Sequence, residues 1–119
     1  MKVLIVSAIL ICMTAFLGED PLVGRWESQP SVKGNITGVL FKNDGSFEGY
    51  VNKKPFVSGK YSTDNGVLKF IDNGCGGKSA EYTLVFFSKG DSLRFDPIVD
   101  SCLERKNGMS HLVLGRKKY

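Results

Sequence analysis

Apolar and polar residues alternate through most of the chain beyond residue 18. Val39 and Phe41, Phe47 with Gly49 and Val51, Leu68 and Phe70, Tyr82 with Leu84 and Phe86, Leu93 and Phe95, and Leu112 and Leu114 fall two positions apart. That is the period of a strand with one buried face. Between these runs stand Asn43-Asp44-Gly45, Asp64-Asn65-Gly66, Asp72-Asn73-Gly74 and Lys89-Gly90-Asp91, residue types that tolerate the left-handed backbone of tight hairpins. The pattern predicts strands at 22–28, 36–42, 47–53, 56–62, 67–71, 80–88, 92–96 and 111–117. No window of twelve or more residues past the N-terminal run has a helical period, although a short turn of helix fits at 100–107.

Eight half-apolar strands in succession must bury one face each and dispose of two unpaired edges. Closing the meander into a barrel does both. The predicted fold is therefore all-β, a small up-and-down antiparallel barrel of about eight strands. Its expected interior set is Val39, Phe41, Phe47, Tyr61, Phe70, Tyr82, Phe86 and Phe95. Tyr50 and the connection Lys53-Lys54-Pro55-Phe56 are expected at the surface.

The N-terminus follows different rules. Lys2 precedes an apolar run from Val3 to Leu17, broken only by Ser7 and Thr14, before Gly18, Glu19 and Asp20 restore polarity. A run this short with such flanks predicts a secretory signal over 1–18 rather than a membrane span, with cleavage after Ala15 or Gly18. The remaining 19–119 is about the size of one domain with one modest core. Lipid anchoring through Cys12 is disfavoured by the bulky Ile11 before it. Removal of the signal takes Cys12 with it and leaves Cys75 and Cys102, an even pair in an oxidising compartment. The strands at 80–88 and 92–96 form a hairpin that returns its two outer ends to one rim, so the pair is predicted to form a disulfide. The expected location is secreted or periplasmic, as a monomer.

Formal net charge is +4, or +3 without Lys2. Basic residues are scattered among acidic ones apart from the tail Arg116, Lys117, Lys118, which argues against a nucleic-acid partner. Catalysis is not expected either. His111 has no nucleophile near it in sequence, and Ser58, Ser88 and Ser110 lie in no nucleophile elbow. Two paired cysteines, one histidine and scattered carboxylates suggest no metal site and no cofactor. Asn73 to Gly77 reads NGCGG, but no Lys-Ser/Thr and helix follow as a phosphate loop requires. Asn35-Ile36-Thr37 is an N-glycosylation acceptor only in a eukaryotic secretory pathway.

The stretch LVGRWES at the start of the first strand, the hairpin FKNDGSF, the stretch SGKYSTDNGVLKF and the late DSCLER, with Cys75 upstream, occur in this order. The set resembles the lipocalin and calycin superfamily, and more closely the short lipocalin-like proteins of bacteria. The resemblance spans residue 22 to about Arg116. It implies that Gly24 and Trp26 belong to a Gly-x-Trp signature whose indole plugs one end of the barrel. It further implies that a basic side chain from near the C-terminus crosses that ring. Arg105 fits the family's Cys-x-x-Arg pattern, and Arg116 ends the last strand; both remain candidates. The resemblance also implies a small, mainly apolar ligand in the barrel or at its mouth, for which Phe41, Phe47, Tyr61, Phe70, Tyr82 and Phe86 are the candidate lining. The chain is shorter than full-length lipocalins and has no sizeable helix. The alternative is thus a packed barrel, a non-enzymatic interaction module that binds another protein or an envelope polymer through its loops.

Overall fold

The computed structural model describes residues 20–118. The expected signal at 1–18, with Cys12, lies outside the described residues. Eight strands follow in order: β1 (Gly24–Ser28), β2 (Thr37–Phe41), β3 (Ser46–Val51), β4 (Lys54–Asp64), β5 (Val67–Asp72), β6 (Ser79–Phe87), β7 (Ser92–Val99) and β8 (Val113–Arg116). Each pairs antiparallel with the next, and β8 returns to β1 through Trp26 opposite Arg116 and Ser28 opposite Leu114. The result is a closed up-and-down barrel, in which no strand edge is left by the ring of neighbours.

The period-two residues meet across the ladder. Phe41 stands opposite Phe47, Tyr61 opposite Phe70, Leu68 opposite Tyr82 and Leu93 opposite Leu114. Their inward faces join Leu22, Trp26, Ala80 and Phe95 in one buried cluster, with Val39, Val57, Tyr61, Leu84, Phe86, Met109 and Leu112 packed against it. A helix, α1 (Leu103–Ser110), lies between β7 and β8, three residues later than the expected turn of helix at 100–107. Met109 and the following Leu112 cover the core from that side.

Several expected boundaries move. The first strand begins at Gly24, because Asp20 to Val23 form a turn that folds Leu22 into the core. The strand expected at 56–62 is longer, so Lys54, Pro55 and Phe56 are strand residues rather than a connection. Only Asn52 and Lys53 make the β3–β4 turn, both at positive φ (51° and 69°). The triplet Asp72-Asn73-Gly74 opens a longer crossing that includes a single 3-10 turn at Cys75–Gly77.

The two ends differ. At one, Asp20 to Val23 gather with the β2–β3, β4–β5 and β6–β7 turns: Thr63 Oγ1 donates to Asp20 and Tyr61 to the Lys42 carbonyl. At the other, the β5–β6 crossing and α1 are joined by the Cys75–Cys102 disulfide, with Cα atoms 5.9 Å apart.

Candidate functional site

The six aromatic residues expected to line a ligand site all face the barrel interior. They are occupied by one another. Phe41 meets Tyr61 edge-on at 5.0 Å and Phe47 at 6.0 Å, Phe47 meets Phe70 at 5.7 Å, and Phe70 stacks on Tyr82 at 6.0 Å. Tyr82 continues the series to Phe95, while Phe86 packs on Trp26. These centroid separations are those of packed aromatic pairs. Their polar ends are engaged as well. Tyr61 donates to the Lys42 carbonyl at 2.7 Å and Tyr82 to Asp100 at 2.6 Å. Burial raises the pKa of both phenols, and for Tyr82 the Asp100 carboxylate adds to the effect.

Trp26 is fully buried and its indole N–H donates to the Leu22 carbonyl at 2.9 Å. Of the two candidate arginines, Arg116 crosses the ring, its guanidinium carbon 4.2 Å from the centroid. The choice follows from register, since Arg116 pairs with Trp26 in the β1–β8 ladder. Arg116 also donates to the Pro21 carbonyl at 2.7 Å and to that of Gly90 at 3.3 Å. Gly24 holds φ at 131°, a conformation that a residue with Cβ rarely adopts, and this lets the chain turn into β1 beside Arg116.

Arg105 serves the opposite end. It donates two bonds to Asp100, at 2.9 Å each, and one each to Asp72 and the Lys78 carbonyl, while covering the Phe70 ring at 5.1 Å. The Asp100 side chain is 0% exposed. Burial alone would raise its pKa, but the bonds from Arg105, Tyr82 and the Cys102 N–H outweigh that and hold it below the ordinary carboxylate value. The Cys-x-x-Arg segment thus clamps β5, β6 and β7 beneath the disulfide rather than sealing Trp26.

The prominent concavity is on the outside. A groove of about 800 Å³, open to solvent, crosses β1, β3 and β4 and is lined by Arg25, Glu27, Glu48, Tyr50, Phe56 and Lys117 among others. Tyr50 was expected to be exposed and instead is 8% exposed. The physical reason is Gly38 opposite it on β2: a Cβ there would lie 2.2 Å from the Tyr50 ring, so the ring lies flat on the bare backbone. At Gly49/Tyr50 the pairing steps from Val57 to Pro55 and leaves Phe56 as the extra residue of a bulge on β4, while β3 keeps its regular register with β2. The phenol donates to Glu27 at 2.7 Å, and Arg25 sits 5.3 Å from the ring centre. Burial raises the Tyr50 pKa, and the Glu27 carboxylate raises it further. Beside this fixed ring, Phe56 is 76% exposed. Lys53, Lys117 and Lys118 complete a cationic rim.

The remaining sequence candidates stay apart. His111 is exposed with Nδ1 2.8 Å from the Asn107 carbonyl, and Ser110 donates to the Lys106 carbonyl at 2.6 Å. Among the described residues no three His, Cys, Asp or Glu side chains gather as metal ligands, and no helix is long and apolar enough to cross a membrane. The groove residues come from five separate stretches of chain, and of them Tyr50 and the Lys53 to Phe56 stretch were expected at the surface as a place for a partner. No protein-family model, curated protein or solved structure matches the chain.

Proposed function

We propose that the chain is a non-enzymatic, secreted or periplasmic binding module, a lipocalin-like barrel used as a packed scaffold whose outer groove over β1, β3 and β4 takes a partner macromolecule. The observation that carries this reading is the contrast between inside and outside. Inside, the aromatic rings contact one another and the hydroxyls of Tyr61 and Tyr82 are already bonded. Outside, a large aromatic side chain, Phe56, stands in water beside a concave surface. What favours this surface is the combination of a concave shape, an aromatic side chain within it and a polar rim, the anatomy of an interface core and its surround. A small apolar ligand among Phe41, Phe47, Phe70 and Tyr82 would have to displace those ring contacts, so that reading has less support.

The test places a photo-crosslinking phenylalanine analogue at Phe56 and, separately, at Val32, which is fully exposed but lies outside the groove. Irradiation in the native source is expected to give one discrete adduct from position 56 that position 32 does not give. Equal adducts from both positions, or a small molecule retained by the purified protein in native mass spectrometry, would overturn the reading.

A further inference from the structure

We infer that the occupant of the groove is an extended acidic peptide segment carrying an apolar side chain, an inference that rests on the binding-module reading above. Four cations line the groove, Arg25, Lys53, Lys117 and Lys118, against two carboxylates, Glu27 and Glu48. Both carboxylates are engaged. Glu27 accepts from Tyr50 at 2.7 Å, and Glu48 accepts from Lys42 at 2.6 Å. Among the described residues no ion pair engages Lys53, and the Lys117 and Lys118 pairs are long, at 3.9 and 3.6 Å. The surface therefore offers positive charge with its own negative charge already used, which favours an anionic partner.

The placement of those charges favours an extended one. Lys117 follows β8, and its backbone N–H bonds to the Arg25 carbonyl. Arg25 is level with Leu40, which is level with Glu48. Lys53 lies beyond the other end of β3, in the turn into β4. Cations thus stand at both ends, with Tyr50, Pro55, Phe56 and Val57 between them. A compact anion could meet one end only. A nucleic acid, with a charge at every phosphate, gains little from so small a positive excess. A peptide with carboxylates on either side of an apolar residue would meet both ends and place that residue against Phe56.

The test uses fluorescence anisotropy with a short fluorescein-labelled peptide alternating glutamate with phenylalanine and leucine. A heparin oligosaccharide and a single-stranded oligonucleotide serve as competing arms. The peptide is expected to bind in a salt-sensitive manner. Joint replacement of Lys117→Glu and Lys118→Glu should weaken it about tenfold or more through charge reversal at the rim. Phe56→Ala should weaken it about fivefold through loss of the apolar anchor. Lys69→Glu, on β5 and outside the groove, should change it less than about twofold. Lack of binding, equal losses from Lys69→Glu and the Lys117/Lys118 pair, or tighter binding of either polyanion would each overturn the peptide inference. If the peptide fails while the position-56 adduct persists, the binding-module reading stands without it; if both fail, both fall.

Discussion

The guanidinium of Arg116 lies over the indole of Trp26, 4.2 Å from the ring centroid, and from there bonds the carbonyls of Pro21 and Gly90. One side chain therefore closes the end of the barrel in two ways, as a cation over an aromatic face and as a donor to loops that have no strand partner there. Loss of Arg116 to Ala should destabilise the fold by about 2 kcal/mol, the sum expected for a shielded cation–π contact and a charged donor to carbonyls. Lysine should recover little, because it lacks the planar fork. Trp26→Ala should cost about 3–5 kcal/mol. Urea unfolding measures both. In the native protein the Trp26 emission should be blue-shifted and poorly quenched by acrylamide, and in Arg116→Ala it should become more accessible.

The Cys75–Cys102 bridge spans 27 positions and joins the β5–β6 crossing to the start of α1. In the chain-entropy picture, closing that loop destabilises the unfolded state by about 3.6 kcal/mol. Replacing both cysteines by serine should lower stability by roughly that amount, a large share of a small domain's total. The intact mass of the oxidised protein should be about two daltons below that of the reduced one, the two hydrogens lost when two thiols join.

Much of the barrel was legible because its causes are local. A strand with one buried face shows its period in a few residues, as at Leu68 and Phe70, and Asp64-Asn65-Gly66 carries its own turn chemistry. Asn52 and Lys53 form an equally tight turn without glycine, so β4 was read as starting too late. The burial of Tyr50 depends on Gly38 in another strand, and the choice of Arg116 over Arg105 depends on which residue pairs with Trp26. The groove was the least visible feature. Its residues come from β1, β3, β4, the β3–β4 turn, Asn73 and the tail, and the tail joins the others only when β8 closes on β1.

Lys53 is a residue with a Cβ held at φ 69°, in a two-residue turn where glycine is the usual occupant. Left-handed backbone costs such a residue about 1–2 kcal/mol, partly offset by the greater freedom of glycine when unfolded. Lys53→Gly should therefore stabilise the protein by about 0.5–1 kcal/mol, read as a higher urea midpoint at unchanged slope.

Gly38 leaves room for the Tyr50 ring, whose nearest atoms would lie 2.2 to 2.5 Å from an added Cβ. Gly38→Ala must push the phenol off the sheet and away from Glu27. The expected cost is about 1–3 kcal/mol, within the range of overpacking, with a change in the near-ultraviolet circular dichroism of tyrosine. Tyr50→Phe keeps the ring and loses only the bond to Glu27, so it should cost about 1 kcal/mol.

Asp100 links acid stability to the clamp beneath the disulfide. Its folded pKa is lowered: burial works against the carboxylate, but the bonds from Arg105, from the Tyr82 hydroxyl and from the Cys102 N–H prevail. A carboxyl whose folded pKa lies below its unfolded value contributes stability that is fully present above the unfolded pKa and is lost as pH falls through the folded one. The unfolded reference is 3.8, so the loss attributable to Asp100 should begin near there and extend below it. Asp100→Asn removes the charge that Arg105 faces and leaves Asp72 as its remaining acidic partner. That variant should be less stable by about 3 kcal/mol near neutral pH, as for a buried pair with one partner removed. Its stability should also fall less steeply than the wild type's as pH drops below about 4, because the group whose protonation opposes folding is gone. Urea midpoints measured across that range give the slope directly. Parallel slopes for the two proteins would show that Asp100 does not carry the acid sensitivity.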